Sequence, residues 1–191
     1  MNCLFKECKS DSLLVGGNRA SSKLSRRLTE RCNLSSKGDK LLFVTLTYDR
    51  SKYDSPLQLY RVQREKRHIA KFIEKLQRYL GYSLKGKWIR KMEFQDGGWT
   101  HFHLIIEARD YIPHDDLHDI WGHGFAYINK MSKKRLHYFT KYIAKTADQL
   151  PNFLKVEPTR SIKIIAASPT WWHDTQADKE KINDYKNRKL S

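Results

Sequence analysis

The sequence predicts an α+β fold, a five-stranded antiparallel sheet flanked by helices. Two observations carry that expectation. Short runs rich in β-branched and aromatic residues alternate with runs of helical periodicity in the order β-α-β-β-(α)-β-α-β. Two of the strand runs also flank Asp96-Gly97-Gly98, a hairpin signal. At 191 residues the chain has room for one compact domain with tails. The expected division is a basic, loosely ordered segment over 1–38, a folded domain over 39–172 and a charged tail over 173–191.

Each element has a local reason. A short basic helix is expected near Ser21–Arg31, and Leu41 to Tyr48 reads as the first strand. Ser55 followed by Pro56 is a helix start, an N-cap with proline at the first helical position. Val62, Ile69, Phe72, Ile73, Leu76 and Leu80 then recur at helical spacing up to Gly81, predicting one helix over 56–80 with a basic outer face. Residues 87–95 and 100–107 read as the hairpin strands, Pro113 to Trp121 as a short helix and Phe125 to Asn129 as a fourth strand. Ser132 is placed to cap a helix over 133–147, and Ser161 to Ala167 reads as the fifth strand.

Composition narrows the function. Lys and Arg number 37 against 21 Asp and Glu, a formal charge of +16. Residues 41–172 alone carry +10, so most of the excess belongs to the folded body and favours a polyanionic partner, nucleic acid by default. No apolar run is long enough to span a bilayer, and the first residues lack the apolar core of a secretory signal. Cys3, Cys8 and Cys32 are read as reduced cytosolic thiols, because a zinc site would need a fourth ligand from elsewhere. The G-x-x-x-x-G-K-[ST] loop of an ATP-driven motor is missing.

Thr100-His101-Phe102-His103-Leu104-Ile105-Ile106 is the most informative segment. Strand alternation points His101 and His103 to one face and Phe102, Leu104 and Ile106 to the other. On the preceding strand Met92 and Phe94 are apolar, so Glu93 joins the histidines if they share the core face with Phe102 and Leu104. A three- or five-residue turn places Glu93 across from His101, whereas a two-residue Gly-Gly turn sets it opposite Phe102. A His, His, carboxylate set with no fourth ligand suits Mg²⁺ or Mn²⁺ acting on a phosphate oxygen. Against this stands the plainer reading of two solvent-facing histidines beside a chance carboxylate.

In His137-Tyr138-Phe139-Thr140-Lys141-Tyr142-Ile143-Ala144-Lys145, Tyr138 and Tyr142 are i and i+4 on a helix, as are Lys141 and Lys145. Forming a phenolate at pH 7 costs roughly 4 kcal/mol from a pKa near 10. A lysine one turn away and a metal-activated phosphate would offset part of it. Taken alone, aromatic residues at this spacing also fit simple packing.

Phe43-Val-Thr-Leu-Thr47, His101-Phe-His103-Leu-Ile and Tyr138-x-x-Lys141-Tyr142-x-x-Lys145 together resemble, in order, the three motifs of HUH endonucleases. The likeness is to rolling-circle replication initiators (Rep proteins) of small single-stranded DNA phages and related plasmids, over about residues 41–147. It implies a five-stranded antiparallel sheet of RRM/ferredoxin-like type. It implies Mg²⁺ or Mn²⁺ on His101, His103 and Glu93, and nucleophiles at Tyr138 and Tyr142, both or only one. Lys141 or Lys145 would be the motif lysine that positions DNA or assists the leaving oxygen. The implied reaction nicks and rejoins single-stranded DNA at a replication origin, with or without a hairpin, through a 5′-phosphotyrosine link. The sequence reads as lacking a helicase domain, so unwinding is expected from a host helicase or another protein, with a host polymerase as further partner, in the cytoplasm of a bacterial or archaeal cell.

Weaker signals remain. His114-Asp115-Asp116-Leu117-His118 mimics a zinc-protease motif, but its acids equally suit a helix first turn. A metal-binding run of His114, His118 and His123 is the alternative. Tyr48, Tyr53 and the Trp171-Trp172 pair are candidates for stacking on bases, with at least one of the tryptophans expected in the core. Two rival functions are a non-enzymatic nucleic-acid-binding module and an HUH transposase. The transposases usually carry one catalytic tyrosine without the Tyr-x-x-Lys-Tyr-x-x-Lys array.

Overall fold

The strand runs become β1 (Lys40–Thr47), β2 (Trp88–Phe94), β3 (Thr100–Ala108), β4 (Ala126–Lys130) and β5 (Ile165–Ala167). They form one antiparallel sheet of order β4-β1-β3-β2-β5, the α+β architecture expected. The helices are α1 (Pro56–Glu65), α2 (His68–Leu80), α3 (His114–Trp121), α4 (Lys133–Asp148) and a single turn, α5 (Asn152–Lys155), that the sequence reading did not foresee. The computed structural model describes residues 26, 28–32, 40–148, 150–155 and 162–172, without the side chains of 141–148. Of the helix expected near Ser21–Arg31, residues 26 and 28–31 are described and helical. Its other residues, with Cys3, Cys8 and the tail 173–191, lie outside the described residues.

Strand alternation feeds two cores. On one face Leu42, Val44, Leu46, Met92, Phe102, Leu104 and Ile106 pack under Leu59 and Tyr60 of α1, Phe72 and Leu76 of α2, and Leu117 and Trp121 of α3. On the other, Phe43, Ile89 and Ile105 meet Leu28, Phe139 and Trp171. Central β3 is therefore buried along its whole length. Trp171 is the core tryptophan anticipated, while Tyr48 corrects an expectation: it is 3% exposed and cannot reach a base. Its ring lies 4.9 Å from that of Trp121.

The helix expected over 56–80 is two helices, broken at Arg67, which takes a left-handed φ of 54°. The buried residues explain the break. Leu59, Tyr60 and Gln63 line α1, and Ile69, Phe72, Ile73 and Leu76 line α2. At about 100° per residue an unbroken helix would point these sets roughly 140° apart, so the chain rephases between them. β5 is also shorter than the run Ser161–Ala167 suggested. Its approach is still tied to β2, because Ile164 O accepts from Met92 N at 2.7 Å.

Cys32 is buried, and burial, only partly offset by Arg31, pushes its thiol up to about 12. Among the described residues no helix is long and apolar enough to cross a membrane.

Candidate functional site

The site is set by the turn between β2 and β3. Gln95 N donates to Trp99 O and Gly98 N to Gln95 O, each at 2.8 Å, which closes a five-residue connection. Gly97 and Gly98 take φ of 79° and 85°, conformations that a side chain disfavours. The resulting register pairs Glu93 with His101, Lys91 with His103 and Met92 with Phe102. On the other flank of β3, Thr47 pairs with His101 and Thr45 with His103. Two short rows thus cross the sheet on one face, Glu93–His101–Thr47 and Lys91–His103–Thr45.

Donor atoms converge within those rows. His101 Nε2 and His103 Nε2 are 3.0 Å apart, and each lies 3.3 Å from Glu93 Oε2. All three residues are buried, and Lys91, wholly buried, donates to Glu93 Oε1. Burial by itself raises a carboxyl pKa. Here the hydrogen bonds from His101, His103 and Lys91 outweigh it and hold Glu93 well below the usual carboxylate range. Burial lowers the Lys91 ammonium against the pull of Glu93, and it likewise lowers the His103 imidazole toward its neutral form.

A metal ligand must be neutral imidazole or ionised carboxylate, and the shifts of Glu93 and His103 both run in that direction. His103 Nδ1 lies 3.0 Å from Thr45 Oγ1. With the proton on Nδ1 and shared with that hydroxyl, Nε2 would give up its hydrogen bond to Glu93 and offer its lone pair to an ion. Among the described residues, Glu93, His101 and His103 are the group whose ligand atoms, within 4.8 Å of one another, could hold a metal ion. The run His114, His118 and His123 forms no such group. Instead Asp115 and Asp116 occupy the first turn of α3, and His123 stacks on His68 with ring centroids 3.9 Å apart.

α4 brings a phenol to the same place. Ser132 Oγ accepts from Arg135 N at 3.2 Å, and Arg135 reaches Asn129 Oδ1 at 2.9 Å, tying the helix start to β4. Phe139 is fully buried and meets the Phe43 ring edge-on at 6.4 Å. One residue earlier, Tyr138 is 38% exposed, its ring edge-on to His103 at 5.5 Å. Its hydroxyl donates to Glu93 Oε2 over a long 3.4 Å. Lys141, Tyr142 and Lys145 belong to α4, but their side chains lie outside the described residues.

Two members of the site were missed from sequence. Lys91 shares Glu93's strand parity, a signal that was there to be read. Thr45 needed the β1–β3 register, which no local pattern supplies.

The family model of the replication-associated protein ORF2 matches residues 41–147, more than half of the chain. No curated protein and no solved structure matches.

Proposed function

The chain belongs to the replication-associated protein ORF2 family, and from that membership we propose that it initiates rolling-circle DNA replication by nicking and rejoining single-stranded DNA. The observation that carries the reading is the meeting of a partly exposed phenol, Tyr138, with the buried Glu93, His101 and His103. DNA is the substrate that both family and charge favour.

In the proposed reaction Tyr138 Oη attacks the scissile phosphorus, an O–P bond forms and the P–O3′ bond breaks. The departing oxygen takes up a proton and leaves as a 3′-OH, with the 5′-phosphate on the tyrosine. A later 3′-OH attacks the same phosphorus and returns the proton to Tyr138, so rejoining needs no ATP. His101, His103 and Glu93 would hold a divalent cation, Mg²⁺ or Mn²⁺. When bound it supplies Lewis-acid polarisation of a phosphate oxygen. The chain's own part is positional: Lys91 holds one oxygen of Glu93, Thr45 orients His103, and buried Phe139 fixes the turn of α4 that carries Tyr138. Tyr142 is proposed as a second nucleophile one turn along, and Lys141 or Lys145 as the lysine that assists the leaving oxygen.

The test mixes the protein with Mn²⁺ and a broad pool of single-stranded DNA and looks for a covalent adduct on a denaturing gel. An adduct that disappears in Tyr138→Phe assigns the nucleophile. An adduct that persists in Tyr138→Phe/Tyr142→Phe excludes both phenols. No adduct, with DNA binding indifferent to chelator, leaves a non-enzymatic binding module instead.

A further inference from the structure

We propose that Phe125 and Tyr127 form a ledge on which two bases of single-stranded DNA stack, beside the metal-ligand rows and on the same side of the sheet. The choice of DNA as occupant rests on the function proposed above; the placement of the ledge rests on register alone. Tyr127 pairs with Thr45, which pairs in turn with His103. Phe125 O accepts from Thr47 N at 2.8 Å, and Thr47 pairs with His101. Directly paired residues project to the same face of a sheet, so each aromatic ring continues a row that holds a histidine of the site. With strands about 4.8 Å apart, the ledge begins about 10 Å from the histidines, within a few nucleotides of a phosphate held there.

Position and exposure then select a ligand. β4 is an edge strand, and Phe125 and Tyr127 are 73% and 59% exposed, while the buried residues of the sheet pack inward. Residues of α3 brace the rings: His114 lies 5.9 Å from Tyr127 and His118 6.2 Å from Phe125, with ring planes 77° and 66° apart, and both aromatics keep most of their surface in solvent. An aromatic face offered to solvent beside a phosphate-handling site matches the flat face of an unpaired base. Asp115 and Asp119 sit next to the two imidazoles, at 3.4 and 3.7 Å, so phosphates are repelled at this spot and bases are preferred. Exposed Lys133 and Lys134 follow β4 along the chain, at the start of α4, and suit the sugar–phosphate backbone leaving the ledge.

The experiment measures binding of fluorescently labelled oligo-dT in EDTA, where nicking is off. Phe125→Leu and Tyr127→Thr keep strand propensity but lose the aromatic face. Each is expected to weaken binding about 5- to 150-fold, while Phe125→Tyr and Tyr127→Phe bind as the parent does. Binding unchanged in the Leu and Thr variants overturns the ledge. A second arm needs no variant: abasic substitution at successive positions of the oligonucleotide should weaken binding by the wild-type chain at two adjacent positions. Indifference to every abasic position, or no binding of oligo-dT at all, overturns the proposal. The two readings fail separately. An adduct with unchanged variant binding removes the ledge and keeps nicking; variant-sensitive binding with no adduct removes nicking and keeps the ledge.

Discussion

Lys91 Nζ donates to Glu93 Oε1, which leaves Glu93 Oε2 facing His101 and His103 at 3.3 Å each. The carboxylate is thereby divided between a structural partner and an open site. A buried ion pair is costly to break and cheap to replace, because removing one member strands the other charge in a low-dielectric interior. Glu93→Ala should cost about 3–5 kcal/mol by urea denaturation and abolish Mn²⁺ binding. Lys91→Met/Glu93→Leu should recover most of that stability without recovering the metal. A double variant no more stable than Glu93→Ala would contradict the division.

Thr45 tests the orientation of His103 separately from the ligands. Thr45→Val keeps shape and removes the oxygen 3.0 Å from Nδ1. Mn²⁺ affinity measured by calorimetry should fall about 10- to 100-fold, and Thr45→Ser should restore it. Unchanged affinity in the valine variant would remove Thr45 from the site.

His68 makes stability depend on acid. Burial first, then His123, Lys71 and Lys66, lower its imidazole from 6.5 to about 4. A depressed folded value means that the unfolded chain takes up the proton first. The contribution is therefore complete above pH 6.5 and is lost as pH falls toward about 4. Other groups titrate in the same window, so the measurement is a difference. The fall in thermal midpoint between pH 7 and pH 4 should be smaller in His68→Phe than in the wild type. An equal or larger fall would count against it.

Gly124 lets the lead-in to β4 pass against the end of β1. Its φ is 149°, and a Cβ there would overlap Thr47 O and Asp49 N. Gly124→Ala should lose about 1–3 kcal/mol from backbone strain, with the overlap added. It should also weaken oligo-dT binding, since Phe125 follows directly. A stable variant with normal binding would show that the lead-in can shift freely.

Much of this molecule is legible locally. Alternation alone separates His101 and His103 from Phe102 and Leu104, and Ser132 with the apolar spacing beyond it announces α4. The same local reasoning ran one helix through Arg67, because Val62 and Ile69 are in phase with each other. The buried sets on either side of the break are not in phase, and only contact with the sheet reveals which residues those are. Tyr48 looked available for stacking because nothing in its own sequence neighbourhood shows that Trp121 closes over it.

By itself the sequence determined which residue types share a strand face, where α1 and α4 start and that the folded body is strongly basic. These follow from backbone periodicity and charge, which need no knowledge of neighbours. The tertiary structure decided that Glu93 stands opposite His101, that Lys91 and Thr45 support the site and that α4 turns Tyr138 toward it. A strand's two-residue period fits either turn length equally well. Only the simultaneous packing of Met92 against one core and Phe139 against the other makes a one-residue slip too costly to survive.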